Sequence, residues 1–289
     1  MLFRRTEGIR IKKMPTLRRM MPFIMPGRNE AAVYFKQVID VTHTLRFLER
    51  VNEDREKQDQ ITLFHVVLCS ASRALYERPH LNRFVVGQRL YQRKTVDISF
   101  AVKKHMADKA VMTAVKATFA PEDTLEDVVA RVNGQIGAGR DKKKKTTSEK
   151  EMKVVTKLPR FVLRNVMRAQ RGLDYFNLLP DSMIRNDPLY ATLFLANMGS
   201  IGLEAVYHHL YEYGTVPLFG SIGRLEKLPI VDSDGEIKVR DTITAKFTYD
   251  ERVADGFYAA RSLDNFKAYI QDPTPLMERA EVDPQAHVV

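Results

Sequence analysis

The spacing of apolar residues changes period several times along this chain, and each change marks an element. Residues 33–41 alternate apolar with polar, the period of a half-buried strand. Asp40-Val41-Thr42 then caps a helix that runs through Leu45 and Leu48 into the polar stretch 52–60. Over 61–77 the positions Leu63, Val67, Ala71, Ala74 and Leu75 fall on one helical stripe, which Pro79 stops. Short strands follow at 84–86 and 90–91, a longer one at 95–102 and another at 110–119. Residues 124–136 read as a helix capped by Thr124, with Glu126 and Asp127 in its first turn. Near the C-terminus 243–247 alternates again, and Ala260, Leu263 and Ile270 restore the helical period.

Two stretches fall outside this rhythm. Residues 1–30 carry Arg4, Arg5, Lys12, Lys13, Arg18 and Arg19, with Pro15, Pro22 and Pro26 interrupting any helix. They read as an extended arm that wraps the body or a neighbouring subunit. Residues 137–189 open with the solvated run Lys142 to Lys145 and then become periodic. Lys153, Lys157, Arg160, Arg164, Arg168 and Arg171 form a basic stripe, and apolar residues at 154, 155, 158, 161, 162 and 166 form the opposite one. Pro159 is expected in the first turn of that helix and Gly172 at its end. Such a helix packs on the body with its cations in water, lies on an anionic membrane with Phe161 and Leu163 immersed, or, as a less favoured third reading, meets a polyanion such as nucleic acid. The resulting organisation is an arm (1–30), one domain (31–275) containing the 137–189 insert, and a tail (276–289).

Composition narrows the class. The 289 residues are 44% apolar and 28% charged, which suits a globular body with a sizeable core rather than a disordered chain. No run of eighteen apolar residues is present, and the basic N-terminus lacks the apolar core of a secretory signal. The single cysteine, Cys69, rules out an internal disulfide and a Cys-based zinc site, and fits a reducing cytoplasm. Its place in an apolar helical pattern implies a buried, inert thiol. The net charge of +10 resides in the arm and in residues 140–171, leaving a mildly acidic body. Nucleic-acid binding through one broad basic face is therefore disfavoured. His43, His65, His80 and His105 have no neighbouring carboxylates at ligand spacing, so no metal is expected. The expected location is cytoplasmic, with or without peripheral membrane contact.

The candidate chemistry lies between the 243–247 strand and the last helix, in Tyr249-Asp250-Glu251-Arg252-Val253-Ala254-Asp255-Gly256. This stretch resembles the His-x-x-x-Asp-Gly signature of dihydrolipoyl acyltransferases and chloramphenicol acetyltransferases, often written Asp-His-Arg-x-x-Asp-Gly. Asp250, Arg252, Asp255 and Gly256 match, and Glu251 stands where that family has histidine. Upstream, Leu195-Ala196-Asn197-Met198-Gly199 is similar to the family's Ile-Ser/Thr-Asn-Leu-Gly, with Asn197 and Gly199 matching and Ala196 replacing the hydroxyl residue. Asp40-Val41-Thr42, Pro79-His80-Leu81-Asn82 and the strand 96–102 fall in the same order as in the family. The resemblance spans 31–136 and 188–275. It implies an α/β fold, a chloramphenicol acetyltransferase-like mixed sheet flanked by helices, with a hairpin turn at 232–236. It further implies a homotrimer with sites at subunit interfaces, coenzyme A or acyl-CoA as substrate, and no covalently bound cofactor. Thirty preceding residues have no room for a lipoyl or subunit-binding domain, so a stand-alone member is expected.

In this family the histidine takes the proton of a thiol, the thiolate attacks an acyl thioester, and the hydroxyl donates to the oxyanion. A thiol near pKa ~8.5 and an imidazole near ~6.5 differ by about 2.7 kcal/mol of uphill transfer, against about 5.7 kcal/mol for a carboxylate near ~4.3. Losing an oxyanion donor costs roughly 3–4 kcal/mol more. Together the two replacements could remove about four powers of ten in rate. Asp255 is expected to be structural and Gly256 to supply a tight turn. His208 and His209 are the candidates for a substitute base, beside their plainer reading as polar surface residues. The expectation is thus an acyltransferase fold without the usual histidine chemistry. The alternatives are a scaffolding trimer that docks through its basic insert, or an active transferase using Glu251, His208 or His209.

Overall fold

The computed structural model describes residues 5–103, 112–140, 157–232 and 234–280. A small sheet joins β1 (Gly8–Arg10) to β4 (Arg89–Arg93), which in turn pairs with β3 (Arg83–Val86), all antiparallel. The main sheet contains β2 (Ala32–Asp40), β5 (Val96–Lys103), β6 (Met112–Phe119), β7 (Leu193–Asn197), β8 (Leu218–Val231) and β9 (Ile237–Asp250). Their order is β2-β9-β8-β7-β5-β6, with β7 parallel to both neighbours and the other pairs antiparallel. The sheet is mixed, as expected.

Side-chain alternation gives this sheet two faces. Leu193, Leu195, Ala245, Phe247 and Tyr249 join the main core with residues of α2 (Thr42–Val51), α3 (Leu63–Glu77), α4 (Leu125–Arg140) and α7 (Gly256–Gln271). The opposite face carries Phe194 and Phe219, stacked at 5.2 Å, under Leu210 and Val216 of an irregular strap. The helix α3 is buried on all sides from His65 to Tyr76, more than its single apolar stripe implied. Thr62 caps it reciprocally with His65, whose Nδ1 accepts the Thr62 N–H at 3.1 Å. Cys69 lies within this helix, and burial pushes its thiol up to about 12.

The arm differs from its expected extended form. After β1 it forms α1 (Thr16–Ile24), with Pro15 at the N-cap and Pro22 buried inside. A proline forfeits the bond of its own N–H, and the helix persists on either side because Arg19 and Met25 N–H groups bond Pro15 and Met21 carbonyls. The arm does cover its own body: β1 extends the small sheet, and Arg28 donates to the carbonyls of Tyr211, Glu212 and Gly214.

Two further boundaries move. The helix expected over 124–136 continues to Arg140 as α4, with the Thr124–Asp127 cap in place. The basic helix is α5 (Arg160–Tyr175), with Pro159 at its N-cap and Gly172 inside it. It ends where Asn177 adopts φ +58 and the Leu178 N–H bonds the Leu173 carbonyl, a left-handed stop that asparagine tolerates. Lys153, the expected strand start at 110–111, and 281–289 of the tail lie outside the described residues. A short helix α6 (Asp181–Asn186) leads into β7.

Candidate functional site

The motif loop is held by contacts that bypass the side chain of residue 251. Strand β9 ends at Asp250, whose N–H donates to the Pro217 carbonyl at 2.8 Å. The Arg252 guanidinium folds back on the Asp250 carboxylate, with Nε and Nη2 each 2.8 Å from an oxygen, and both residues are buried. Its Nη1 donates to the carbonyls of Met25 and Pro26, 2.9 Å each, which ties the arm to the loop. Asp255 caps α7 by accepting the Tyr258 N–H at 2.8 Å. Gly256 is the first residue of α7 with φ outside the left-handed region, so it begins a helix rather than forming the expected tight turn.

Glu251 is half-buried. Its N–H donates to the Ala31 carbonyl at 2.9 Å, and its own carbonyl accepts from Arg18 Nη1 at 2.6 Å. Arg18 Nη2 also lies 3.8 Å from the Asp255 carboxylate. The Glu251 carboxylate makes no hydrogen bond or ion pair among the described residues. Ala196 sits on β7 directly opposite Ser221 of β8. That serine is not free to replace the missing hydroxyl: its Oγ donates to the Val206 carbonyl at 2.5 Å and accepts the Val206 N–H at 2.9 Å. Asn197 is turned to its own loop, accepting the Ser200 N–H at 3.0 Å.

His208 and His209 belong to the strap. The His208 ring stacks on Phe219 at 3.9 Å and on His209 at 4.5 Å, and its carbonyl accepts from Thr248 Oγ1. Burial lowers the His208 pKa. No hydrogen bond or ring contact joins either imidazole to residues 250–256 among the described residues. The imidazole that adjoins the loop's supports is His80. The ring stacks on Tyr258 at 4.3 Å, the backbone N–H of His80 donates to the Tyr258 hydroxyl, and burial followed by Arg83 and Arg18 pushes the His80 pKa down to about 4. Sequence spacing left His80 isolated because its neighbours are 178 residues away along the chain. Arg18 was legible only as one more charge in the arm.

Lys157, just before α5, and Arg160, Arg164, Arg168 and Arg171 on it are all exposed. No residue of α5 is buried: Phe161 is 63% exposed, while Val162, Leu163 and Met167 are half-buried. The helix attaches mainly through its last turns: Asp174 receives Arg5 Nη1 at 2.5 Å, and Gln170 bonds the Tyr213 hydroxyl at 2.7 Å.

The family described as 2-oxoacid dehydrogenases acyltransferase (catalytic domain) matches residues 8–157 and 184–278. The chain belongs to this family. The unmatched gap, 158–183, contains α5. The lipoamide acyltransferase component of the branched-chain alpha-keto acid dehydrogenase complex of Bacillus subtilis is 21% identical over 235 residues, 81% of this chain and 45% of that protein. The chain therefore spans less than half the length of that relative. A probable dihydrolipoamide acetyltransferase from Listeria monocytogenes superposes with TM-score 0.60 at 16% identity, covering 96% of this chain and 98% of that one. The Azotobacter vinelandii dihydrolipoamide acetyltransferase gives 0.59 at 17%, covering 92% and 94%, and was solved in a study of a serine, a histidine and an asparagine in its catalytic mechanism. A chloramphenicol acetyltransferase gives 0.52 at 10% identity, covering 92% and 98%. The fold is that of the acyltransferase catalytic domains.

Proposed function

We propose that this acyltransferase-family chain binds acyl-CoA or another acyl ligand at its motif loop without running histidine-based thiol acyl transfer. The observation that carries this reading is that Glu251 and Ala196 stand at the two replaced positions, with the Ser221 hydroxyl opposite Ala196 already engaged by the strap. No imidazole stands at position 251; His208 stacks on Phe219 of the sheet, and His209 is exposed on the strap beside it. The associated assembly is a homotrimer with the loop at subunit interfaces, which would cover the exposed Leu17, Phe23, Ile24, Val231, Ile237 and Val239.

The test is calorimetric binding of acyl-CoA together with acyl transfer to dihydrolipoamide, for the wild type and for the Glu251→His/Ala196→Ser double variant. The expected result is binding by both proteins and transfer detectable only in the double variant. Wild-type transfer at rates that the double variant does not raise would overturn the loss of histidine chemistry. Absence of binding in both would overturn the acyl-ligand reading.

The exposure of α5 favours a second reading, a trimer that docks on an anionic membrane through its basic stripe. Flotation with anionic vesicles should then be lost when residues 150–171 are deleted; undiminished flotation would rule the helix out.

A further inference from the structure

A cleft of about 490 Å³ lies between α1, the segment preceding it, the β3–β4 turn and the end of α5. Arg10, Lys12, Arg18, Arg19 and Arg89 line it, and among the described residues no aspartate or glutamate does. Its volume falls within the range of small-ligand sites, about 300–1,000 Å³. Arg10, Lys12, Arg19 and Arg89 are exposed and have no ion-pair partner among the described residues. Elsewhere on this surface arginines do find carboxylates, as Arg224 does with Glu226 and Arg185 with Asp181. Like charges crowded around a concavity focus a positive field that only an anion or water can offset.

The wall of the cleft is fixed rather than fortuitous. Gly87 turns at φ +56, and a Cβ there would lie 2.3 Å from the Tyr175 carbonyl, so only glycine lets α5 seat against the turn. The Tyr175 hydroxyl closes the contact at 3.0 Å from Gln88 Oε1. Tyr175 comes from the segment that the family match leaves out, so this part of the wall lies outside the family's matched core. The guanidinium forks of Arg10, Arg19 and Arg89, with Arg18 beside them already bonded to the Glu251 carbonyl, suit the several oxygens of linked phosphates, which accept paired N–H bonds; a single carboxylate would leave most of them unanswered.

We propose that this cleft binds an anion carrying two or more phosphate charges, either a soluble phosphoanhydride or the phosphorylated headgroup of an anionic lipid. The site is separate from the acyl-ligand reading: pyrophosphate binding with no acyl-CoA binding leaves it standing.

The experiment is calorimetric titration of the full chain with inorganic pyrophosphate, beside co-sedimentation with vesicles containing phosphatidylinositol phosphate. The Arg19→Gln/Arg89→Gln variant removes two exposed cations, and Arg19→Lys/Arg89→Lys keeps their charge. Pyrophosphate affinity should fall at least about tenfold in the glutamine variant, recover only in part in the lysine variant, which keeps the charge but not the paired donors, and weaken as salt rises. Vesicle binding that is lost in the same variant, with no pyrophosphate binding, would identify the lipid headgroup as the source. Binding of neither probe by the wild type, or equal affinity in wild type and glutamine variant, overturns the proposal. A circular dichroism melt matched to the wild type confirms that each variant is folded.

Discussion

Replacing Arg252 by methionine tests whether the motif loop and the arm form one unit. The substitution removes both arms of the buried pair with Asp250 and leaves the Met25 and Pro26 carbonyls without their donor. Asp250 is fully buried, so its carboxylate would keep only the backbone N–H of residue 252 and the neighbouring Arg28 charge in place of its direct ion pair. Breaking a buried pair on one side costs about 3–5 kcal/mol, a large share of the roughly 5–15 kcal/mol that holds a domain together. With a urea dependence of about 2–3 kcal/mol per molar, the midpoint should fall by more than about 1 M.

A second substitution separates the pair's own strength from the penalty of orphaning one charge. Asp250→Asn added to Arg252→Met removes the buried negative charge, and should restore about 1–2 kcal/mol of the loss. The measurement is urea unfolding of wild type, single and double variants at one fixed protein concentration, because assembly shifts apparent stability. Hydrogen exchange over residues 16–30 supplies the structural readout, since the arm loses two of its ties. An Arg252→Met protein within about 1 kcal/mol of wild type, or a double variant no more stable than the single, would refute the reasoning.

Two other predictions follow from buried groups and close approaches. His65 is held neutral by burial with a folded pKa of about 4 against an unfolded value near ~6.5, so the unfolded state binds more protons in between. Stability should therefore fall as pH drops from about 6.5 towards 4, by roughly 2 kcal/mol between pH 7 and pH 5, and the loss should be flatter in His65→Asn when unfolding is followed at both pH values. Gly87→Ala adds a side-chain atom 2.3 Å from the Tyr175 carbonyl at φ +56, and should free α5 from the β3–β4 turn. Limited proteolysis is expected to cut 157–175 several-fold faster in that variant, and an unchanged cleavage rate would contradict the seating described.

Much of the fold was legible because its elements carry strong periods. The strand at Ala32–Asp40, the α3 stripe and the Thr124 cap all declare themselves within a dozen residues. The misses share a cause, which is contact between distant parts of the chain. Pro22 argues against a helix locally, yet its ring is buried against the body and α1 forms around it. Gly172 reads as a stop, but α5 runs on because Asp174 meets Arg5 and Tyr175 meets the Gly87 turn. The candidate site divides in the same way. Glu251 and Ala196 were readable as replacements, whereas the engagement of Ser221, the approach of Arg18 and the placement of His80 depend on pairings that no local pattern encodes.

The shape of the motif loop and its chemistry are physically separable in this chain. Asp250, Arg252 and Asp255 spend their side chains on the loop itself, as an ion pair and a helix cap. Residue 251 contributes only backbone, donating to Ala31 and accepting from Arg18. A side chain that no fold-forming contact requires can change from imidazole to carboxylate without moving the loop. The fold-marking letters of the signature can therefore persist while the proton-transferring letter differs. The same logic makes Glu251→His a fair chemical test: the substitution should leave stability nearly unchanged, so a gain or absence of transfer reports on chemistry rather than on folding. Position 196 is more constrained. A hydroxyl there would point into the packing of Phe194 and Phe219 beside Ser221, whose Oγ already serves the strap. Ala196→Ser should thus carry the larger structural cost of the two substitutions, and the single variants need to be melted separately before the double variant's activity is interpreted.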